Sequence, residues 1–306
     1  MKLQRLHIKN FKSIVDLEIV EPNPFTVFVG PNGSGKSNIF EALEFFFSDA
    51  SPEAIRLFDG SDKLHNRKLA TSEKFEFNFI ADTIQSDYIS DSYFSETQYR
   101  VLLGSGRWYS SNSEGKEGDS IKTLLELKRE LYEEFRKKST SRIFVRNIDK
   151  QKINFNDNLK LNFSASNLEK VLKRILQDEV KREEIKEWLD LFIPGFENIE
   201  IVSSELSGTD TLVMYEKDIK KPFTKDLLSD GTYNILALLT AVYQSDEPQF
   251  LCIEEPENGL TPYVIEQFVE LFRNVCQEKG HYIWLNTHSP TLVRNLRADE
   301  LIVVDK

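Results

Sequence analysis

Cysteine is scarce in this chain, with only Cys252 and Cys276 among 306 residues. Two cysteines exclude both the disulfide framework of a small secreted protein and a cysteine-based metal cluster, so we expect two buried or half-buried thiols. Long apolar runs are also missing: no stretch approaches the roughly 18 apolar residues of a membrane span. The N-terminal sequence lacks the apolar core of a signal peptide. These absences predict a soluble, cytoplasmic protein that does not contact membranes.

Basic residues are outnumbered, since 39 Lys and Arg face 50 Asp and Glu and leave a net charge of −11. This balance argues against broad, non-specific coating of nucleic acid, although it leaves a local basic groove open. Hydrophobic residues make up 40% of the chain and include 22 phenylalanines, which is enough for a packed core. The length allows one large domain or two small ones.

The strongest pattern is the glycine-rich stretch Gly30–Ser37, which reads G-P-N-G-S-G-K-S. It matches the phosphate-binding loop pattern of Gly, four residues, Gly, Lys and Ser or Thr. An apolar run at Phe25–Val29 precedes it and predicts a buried strand. Asn38–Phe47 follows with apolar residues at helical spacing. The stretch is therefore flanked by a predicted strand and a predicted helix, which is the context that the motif requires.

The physical chemistry of this stretch favours phosphate as its ligand. Its glycines let the backbone curl until several N–H groups point inward, and a Cβ there would block the ligand. The N-terminus of the following helix adds a positive partial charge. We expect Lys36 to reach the β- and γ-phosphates and the Ser37 hydroxyl to ligate Mg²⁺. The predicted nucleotide-binding residues are Gly30, Pro31, Asn32, Gly33, Ser34, Gly35, Lys36, Ser37 and Asn38.

The first half of the chain otherwise predicts strands. Lys2–Ile8 and Val15–Val20 alternate apolar and polar residues, and the turn between them reads N-F-K-S. Lys74–Ile80 alternates three phenylalanines with polar residues, and Tyr99–Leu103 is its expected partner strand. The polar residues 51–71 between these patterns predict a loop with a short helix.

Residues 82–194 contain the strongest helical patterns. Gly104–Ser120 predicts a loop, and Ile121–Lys138 has helical spacing. Arg142–Arg146 predicts a short strand, and Asn167–Phe192 predicts one long amphipathic helix. Basic residues on this helix alternate with acids, which is typical of a solvated face, and a surface for a partner or nucleic acid is the alternative. We expect a mostly helical insertion without a long coiled-coil heptad repeat.

A second group of motifs begins after Pro194 and Gly195. Strands are predicted at Asn198–Val202 and Thr211–Tyr215. Leu228–Gly231 then reads L-S-D-G and precedes an apolar helical pattern. Four residues alone are a weak signal, and this one gains weight from the acidic strand that follows it in the chain.

That hydrophobic strand is predicted at Phe250–Ile253, and it is followed by two carboxylates, Glu254 and Glu255. Four apolar residues followed by two carboxylates is the pattern of a Walker B strand. Such carboxylates lie at the carboxyl end of a strand, beside the phosphate loop, in open α/β sheets. We expect Glu254 to hold Mg²⁺ through water and Glu255 to polarise the attacking water as general base.

The last 50 residues predict alternating helices and strands. Pro256–Leu260 reads P-E-N-G-L and is followed by a predicted helix at Val264–Cys276 and a predicted strand at His281–Leu285. His288 follows this strand in the sequence N-T-H-S-P. A histidine just past a strand end can hydrogen-bond a γ-phosphate or the attacking water. Glu300–Val304 predicts a final strand.

Together, these motifs resemble those of the ATP-binding-cassette-like ATPases of the SMC, RecF and OLD group. The resemblance covers residues 1–50 and 195–306, and E-E-P-E-N-G-L is similar to prokaryotic defence ATPases of the OLD and Septu kind. That family often has His where this chain has Thr261. The implied fold is α/β: an ABC-ATPase-like P-loop head with a mixed central sheet, N-terminal antiparallel strands and a mostly helical insertion. The implied divisions are an N-terminal lobe at 1–81, the insertion at 82–194 and a C-terminal lobe at 195–306.

The resemblance also implies the ligands, ATP and Mg²⁺, and a site shared by two protomers. One protomer would supply the phosphate loop, Glu254, Glu255 and His288, and the other would supply Ser229 and Gly231. In these relatives a basic residue of the N-F-K-S turn approaches the phosphates, which assigns this role to Lys12, with a solvated turn lysine as the alternative. A glutamine contacts Mg²⁺ and the attacking water. Gln85 and Gln98 are the candidates, and the sequence does not choose between them.

The resulting prediction is an ATPase that senses or regulates with a separate effector, such as a nuclease or toxin, in anti-phage defence. OLD proteins carry a TOPRIM-type nuclease domain after such a head, and no acidic metal cluster of that type is visible in this sequence. One alternative is a RecF- or SMC-like ATPase of DNA repair or recombination. Another is a nucleotide-gated scaffold that hardly hydrolyses ATP. Binding to nucleic acid stays open.

Overall fold

The computed structural model describes these residues of the chain: 2–47, 58, 63, 64, 66, 75–81, 84–90, 95–102, 108–110, 140–145, 158–203 and 209–305. At residues 75, 81, 84–90, 95–102 and 108–110 it describes the backbone alone. The predicted helix Ile121–Lys138 lies outside the described residues, as do most of the predicted loops at 51–71 and 104–120. The chain divides into two compact units, residues 1–140 with 301–306, and residues 141–300. These boundaries differ from the predicted lobes, and that division stays a prediction.

The first unit contains one helix and eight strands among its described residues. They are β1 (Leu3–Phe11), β2 (Ile14–Val20), β3 (Phe25–Val29), α1 (Lys36–Phe47), β4 (Phe75–Ala81), β5 (Ile84–Ser90), β6 (Ser95–Leu102), β7 (Trp108–Ser110) and, from the end of the chain, β14 (Leu301–Val303). The second unit begins within β8 (Thr140–Ile143). Its further elements are α2 (Leu168–Ile175), α3 (Glu179–Phe192), β9 (Phe196–Ser203), β10 (Asp210–Glu216), β11 (Phe223–Thr224), α4 (Asp230–Tyr243), β12 (Phe250–Glu254), α5 (Pro262–Lys279), β13 (Tyr282–Asn286) and α6 (Pro290–Arg294).

The antiparallel sheet of the first unit has the strand order β2-β1-β4-β5-β6-β7. Leu6 of β1 lies opposite Ile19 of β2 and Phe79 of β4, and all three side chains are buried. The alternation of apolar and polar residues therefore identified the buried face. β1 extends past its predicted end because its pairing with β2 continues to Phe11, opposite Ile14. β5 was not predicted.

Helix α1 carries a phenylalanine-rich core that packs on two parts of the first unit. Phe40 meets Phe28 of β3 edge to face, with ring centroids 5.7 Å apart. Phe46 stacks on Phe77 of β4, with ring centroids 4.0 Å apart. Each such pair contributes about 0.5–1.5 kcal/mol beyond the burial of its area. β3 also pairs in parallel with β14, so both ends of the glycine-rich stretch are anchored.

The second unit contains the parallel strands β12 and β13. Phe250 lies opposite Tyr282 and Glu254 opposite Asn286, so the two strands end at the same edge. Every residue of both strands is buried, which is typical of parallel strands covered on both faces. β8 lies beside β12, and a separate antiparallel sheet has the order β11-β10-β9.

The amphipathic pattern at Asn167–Phe192 forms two helices, so the prediction of one long helix is wrong. Asp178 lies between α2 and α3 and caps α3, because its side chain accepts hydrogen bonds from the backbone N–H groups of Val180 and Lys181. An aspartate in this position satisfies donors that otherwise lack partners at a helix start. The local cap therefore interrupts a helix that the apolar periodicity alone would continue.

The expectation of a mostly helical insertion at 82–194 stays a prediction, because part of this range lies outside the described residues. Residues 84–110 contain β5, β6 and β7, which continue the antiparallel sheet of the first unit, and helices appear only from residue 168 among the described residues. The predicted buried cysteines are confirmed, since Cys252 and Cys276 are both buried and unbridged. In the described part of the chain, no helix combines the length and the apolar composition needed to cross a membrane.

Candidate functional site

Gly30 opens the phosphate loop, which connects β3 to α1. Its φ angle is +155°, and a Cβ built on it would lie 2.1 Å from the carbonyl oxygen of Val304. The Val304 N–H donates to the carbonyl oxygen of Val29 at 2.7 Å. The chain that follows β14 therefore passes directly over the start of the loop. We expected ligand approach to require this glycine, but packing within the first unit already excludes any side chain here.

Gly35, at the other end of the loop, lies against the N-F-K-S turn. Its φ angle is +110°, and a Cβ there would lie 2.7 Å from the Ser13 hydroxyl. The same hydroxyl accepts a hydrogen bond of 2.6 Å from the Asn38 side-chain amide. The turn between β1 and β2 therefore braces the loop, which gives a physical reason for the association of this turn with the phosphate-loop motif.

Lys36 is the first residue of α1, and its side chain folds back over the loop. Its ammonium donates to the carbonyl oxygens of Gly30 at 2.7 Å and Pro31 at 3.1 Å, and the residue is 5% exposed. The hydroxyl of Ser34 is buried and has no hydrogen-bond partner. An ammonium held on two loop carbonyls beside an unpartnered hydroxyl fits a loop built to receive oxygen atoms of a phosphate.

The other predicted phosphate-loop residues surround this centre. Pro31, Asn32, Gly33 and Ser37 are exposed, and Ser37 lies in the first turn of α1. Its hydroxyl is a hard oxygen donor of the kind that Mg²⁺ prefers. The loop therefore fits a nucleotide phosphate with its metal, and the individual ligand contacts stay predictions.

Lys12 has a partner other than a phosphate. Its ammonium forms an ion pair of 2.5 Å with Glu41 of α1 and lies 5.3 Å from the centre of the Phe58 ring. The residue adopts φ +47°, and its N–H donates to the carbonyl oxygen of Leu64. This geometry fits a lysine that fastens the turn to α1, and a contact of Lys12 with phosphate stays a prediction. Gln85 and Gln98 lie in β5 and β6, and the choice between them stays open.

A set of residues that we call the carboxylate edge lies in the second unit, at the ends of β12 and β13. It comprises Glu254–Leu260 and Asn286–His288. Glu254 is buried, and its Oε1 accepts hydrogen bonds from Nε of Arg142 at 2.7 Å and from a second guanidinium nitrogen. Its Oε2 accepts from the Asn286 amide at 3.3 Å. The predicted metal-binding carboxylate is therefore held by hydrogen bonds on both oxygens.

Glu255, the predicted general base, has a strained backbone. Its φ angle is +45°, which costs on the order of 1–3 kcal/mol for a residue other than glycine. Its N–H donates to the backbone carbonyl oxygen of Asn286 at 3.0 Å, and the Asn258 amide donates to its Oε2 at 3.0 Å. Asn258 therefore holds the half-buried carboxylate, and Asn286 holds the backbone of the same residue.

His288 is exposed, and its backbone is anchored by Glu257. One oxygen of Glu257, Oε1, accepts from the Thr287 hydroxyl at 2.6 Å and from the His288 N–H at 3.0 Å. The other oxygen, Oε2, is buried without a hydrogen-bond partner. Glu257 therefore links the P-E-N-G-L stretch to the N-T-H-S-P stretch and leaves the imidazole accessible.

The L-S-D-G motif lies at the start of α4 and packs on the carboxylate edge. The exposed Ser229 caps the helix by accepting from the Thr232 N–H at 3.1 Å. A Cβ on Gly231 would lie 2.3 Å from the carbonyl oxygen of Gly259, so this contact requires glycine. The Asn234 amide donates to the carbonyl oxygens of Pro256 and Asn258, both at 2.8 Å.

The predicted site residues thus form two groups, one in each unit. The first unit holds the phosphate loop and Lys12, and the second holds Ser229, Gly231, Glu254, Glu255 and His288. Sequence reasoning missed Arg142, Asn234, Asn258, Glu257 and Asn286. Glu257, Asn258 and Asn286 lie within the P-E-N-G-L and N-T-H-S-P motifs, but the motifs alone assigned them no role. Arg142 carried no signal, because 112 positions separate it from the carboxylate it binds.

Comparison with known proteins gives a family and a fold. Residues 25–294 match the family model described as "AAA domain, putative AbiEii toxin, Type IV TA system". The chain is 40% identical over 93 residues to the chromosome partition protein Smc of Methanocaldococcus jannaschii, a match that covers 27% of this chain and 8% of that protein. It is 21% identical to an ATP/GTP phosphatase of Helicobacter pylori, covering 96% of this chain and 87% of that one. The chain thus spans less than a tenth of the length of the Smc relative.

Two solved structures resemble the whole chain. A structure of an Smc head bound to the C-winged helix domain of ScpA has a TM-score of 0.64 at 17% identity, covering 100% of this chain and 95% of that one. The Smc head domain with an extended coiled coil from Pyrococcus furiosus, bound to the C-terminal domain of ScpA, has a TM-score of 0.56 at 15% identity, covering 99% and 93%. These matches confirm the predicted α/β head fold, while the narrower resemblance to OLD and Septu ATPases stays a prediction.

Proposed function

The chain belongs to the AAA family whose model matches residues 25–294, and we propose that it is a nucleotide-gated switch that controls a separate effector protein. The chain itself is an ATPase head of the AAA and SMC type. One observation carries the proposal: a braced phosphate loop and a Walker B strand that ends in a strained, oriented Glu255 occur in one chain. Strain of this kind persists where the surrounding structure fixes a functional geometry.

Nucleotide binding would rest on the phosphate loop. The loop N–H groups and the start of α1 would bind the phosphates, and the ammonium of Lys36 would exchange its two loop carbonyls for phosphate oxygens. Ser37 and Glu254 would hold Mg²⁺, which, when bound, would neutralise phosphate charge.

Hydrolysis would rest on the carboxylate edge. Glu255 would accept a proton from the attacking water, because the Asn258 amide fixes one of its oxygens and leaves the other for that water. His288 would hydrogen-bond the γ-phosphate or the water, and Glu257 would hold its backbone in place.

Switching would rest on the pairing of two heads around the nucleotide. The exposed Ser229 and the neighbouring Gly231 would reach the nucleotide of a second protomer. Because Gly231 packs on Gly259, a contact made at the L-S-D-G motif would bear directly on the P-E-N-G-L stretch of its own chain. ATP binding would join the heads and hydrolysis would release them.

A role in prokaryotic anti-phage defence, with a toxin or nuclease as the effector, is the most specific form of the proposal. The family description, which names a toxin and a toxin–antitoxin system, supports it. The complexes of Smc heads with ScpA domains support the idea of a partner protein. A DNA-repair or recombination ATPase is the second candidate, and the 40% identity to an Smc protein over 93 residues favours it.

The test is to co-express the protein with the products of its neighbouring genes and weigh the intact assembly by native mass spectrometry, with and without ATP. Glu255→Gln serves to hold the ATP-bound state. A stable complex with a second polypeptide whose composition changes with ATP would support the switch. A chain that only dimerises with ATP and is stimulated by DNA would favour the repair ATPase, and a chain that binds ATP without hydrolysing it would identify a scaffold.

A further inference from the structure

The carboxylate that would hold the metal is bound by a buried arginine from a distant part of the chain. The side chains of Arg142 and Glu254 are each 6% exposed, and Oε1 of Glu254 accepts from two nitrogens of the guanidinium. Asn286 donates to the other oxygen. A buried carboxylate is stable only when a partner compensates its charge, and Arg142 supplies that charge.

Arg142 is itself fixed on two further sides. The centre of its guanidinium lies 4.8 Å from the ring centre of Phe163. The N–H of Phe144, two residues along the chain, donates to the carbonyl oxygen of Phe163 at 2.6 Å. On the other side, the Gln244 amide, at the C-terminal end of α4, donates to the hydroxyl of Ser141 at 3.4 Å. The segment that carries Arg142 therefore connects the Walker B strand with the end of the helix that begins at L-S-D-G.

We propose that Arg142 is a positioning residue for Glu254 that opposes the binding of a lone divalent cation to this carboxylate. This inference rests on the proposed role of Glu254 as a metal-binding carboxylate. Two cations that share one buried carboxylate repel each other, so the guanidinium opposes a divalent ion that arrives alone. Arg142 thus disfavours a lone divalent cation at Glu254 while it holds this carboxylate in a fixed position.

The first measurement is Mn²⁺ binding to the nucleotide-free protein, followed by electron paramagnetic resonance. The variants are Arg142→Met, Glu254→Gln and the double variant. Arg142→Lys retains the charge, and Arg182→Met, a half-buried arginine on α3 of the same unit, is the control. We expect Arg142→Met to bind Mn²⁺ about tenfold more tightly than the wild type, because the competing charge is gone. The gain should vanish in the double variant, and Arg142→Lys and Arg182→Met should resemble the wild type.

An Arg142→Met protein that binds Mn²⁺ no more tightly than the wild type overturns the inference. So does a gain that survives Glu254→Gln, since the ion would then bind elsewhere. Thermal unfolding and near-ultraviolet circular dichroism check the fold of each variant. If Arg142→Met does not fold, Arg142→Gln replaces it, because its neutral amide can still donate to Glu254, and the same gain is expected.

A second measurement separates this inference from the proposed function. With ATP present, we expect Arg142→Met to reach half-maximal ATPase activity at a lower Mg²⁺ concentration but with a lower kcat, because Glu254 is less firmly oriented. A wild-type protein that hydrolyses ATP while Arg142→Met shows neither shift contradicts the inference alone. A wild-type protein that neither binds nor hydrolyses ATP contradicts the proposed function, and the Mn²⁺ result then still decides whether Arg142 opposes a cation at Glu254.

Discussion

The phosphate loop and the carboxylate edge both hold charged groups in place, but they do so by different means. In the loop, the backbone creates the shape: Gly30 and Gly35 lie so close to Val304 and Ser13 that no side chain fits. At the carboxylate edge, side-chain hydrogen bonds create the shape, since amides of Asn258 and Asn286 and the guanidinium of Arg142 fix the two carboxylates.

The two kinds of site should therefore be sensitive to different kinds of substitution. A backbone-shaped loop depends on a few glycines and on its one ammonium, so single changes there should remove binding altogether. A network of side chains has several members, and the loss of one member leaves the others in place. Changes at the carboxylate edge should therefore separate binding from hydrolysis.

The largest expected effect belongs to the loop. Lys36→Ala should weaken ATP binding by at least about 100-fold, because the phosphates lose the cation that would pair with them. Isothermal titration calorimetry measures the affinity, and Lys63→Ala, an exposed lysine of the same unit, is the matched control. Retained ATP affinity in a folded Lys36→Ala protein would mean that the loop does not bind phosphate in this way.

The next effect tests whether the carboxylate edge serves hydrolysis alone. Glu255→Gln should bind ATP with nearly the wild-type affinity and lose about 100-fold or more in kcat, because the general base is gone. Dimers should accumulate in ATP, as measured by light scattering, while the exposed variant Glu266→Gln behaves as wild type. A well-folded Glu255→Gln protein that stays monomeric in ATP would count against the two-protomer site.

A smaller effect is expected at the contact between Gly231 and Gly259. Here, as in the phosphate loop, the backbone lies too close to a glycine for a side chain to fit. Gly231→Ala should cost about 1–3 kcal/mol of stability, because the new Cβ would lie 2.3 Å from a backbone oxygen. It should lower kcat about 10- to 100-fold with ATP affinity retained, since the L-S-D-G helix is pushed off the P-E-N-G-L stretch.

Gly280→Ala is the control for that experiment. Gly280 has φ +67°, but a Cβ there would meet only Pro248, at 3.8 Å. We expect a stability loss of about 1 kcal/mol from the backbone alone, without a change in kcat. Equal losses of activity in the two variants would show that stability, and not the Gly231–Gly259 contact, sets the rate.

The last expected effect is a loss of folding stability in acid, without a direct effect on ATP binding. Burial, followed by the nearby charge of Lys279, lowers the pKa of His281 from 6.5 to about 4. Below pH 6.5 the His281 imidazole binds a proton in the unfolded chain but stays neutral in the folded chain. The contribution of His281 to the free energy of unfolding is therefore complete above pH 6.5 and is lost as the pH falls toward 4. The loss should reach about 2 kcal/mol at pH 5.

Urea unfolding at pH 7 and pH 5 measures this loss in the wild type and in His281→Gln. The variant lacks the titrating imidazole, so the part of the pH dependence due to His281 should disappear. An unchanged difference between the two pH values would show that other groups cause the acid sensitivity. Because His281 directly precedes β13, which leads to the carboxylate edge, acid should weaken the second unit in particular.

Sequence reasoning succeeded where structure is decided over short distances. β3 was predicted residue for residue, and α1 began only two residues before its predicted start. It failed at Asn167–Phe192, where the apolar spacing continued but Asp178 capped a new helix. It also missed β5, because this strand is held by its pairing with β4 and β6 and its own residues show no clear strand pattern.

Consecutive residues of the chain are enough to predict a phosphate loop, a Walker B strand and a histidine after a strand. Each of these features is formed by consecutive residues, because the conformation of a turn, a buried strand or a helix start depends mainly on residues that are adjacent in the chain. The folded structure is needed to see that Arg142 binds Glu254, that Gly259 leaves no room for a side chain at Gly231, and that Val304 leaves none at Gly30. Those contacts join residues that are far apart in the chain. A local sequence pattern does not predict which distant residue will compensate a buried charge or lie against a glycine.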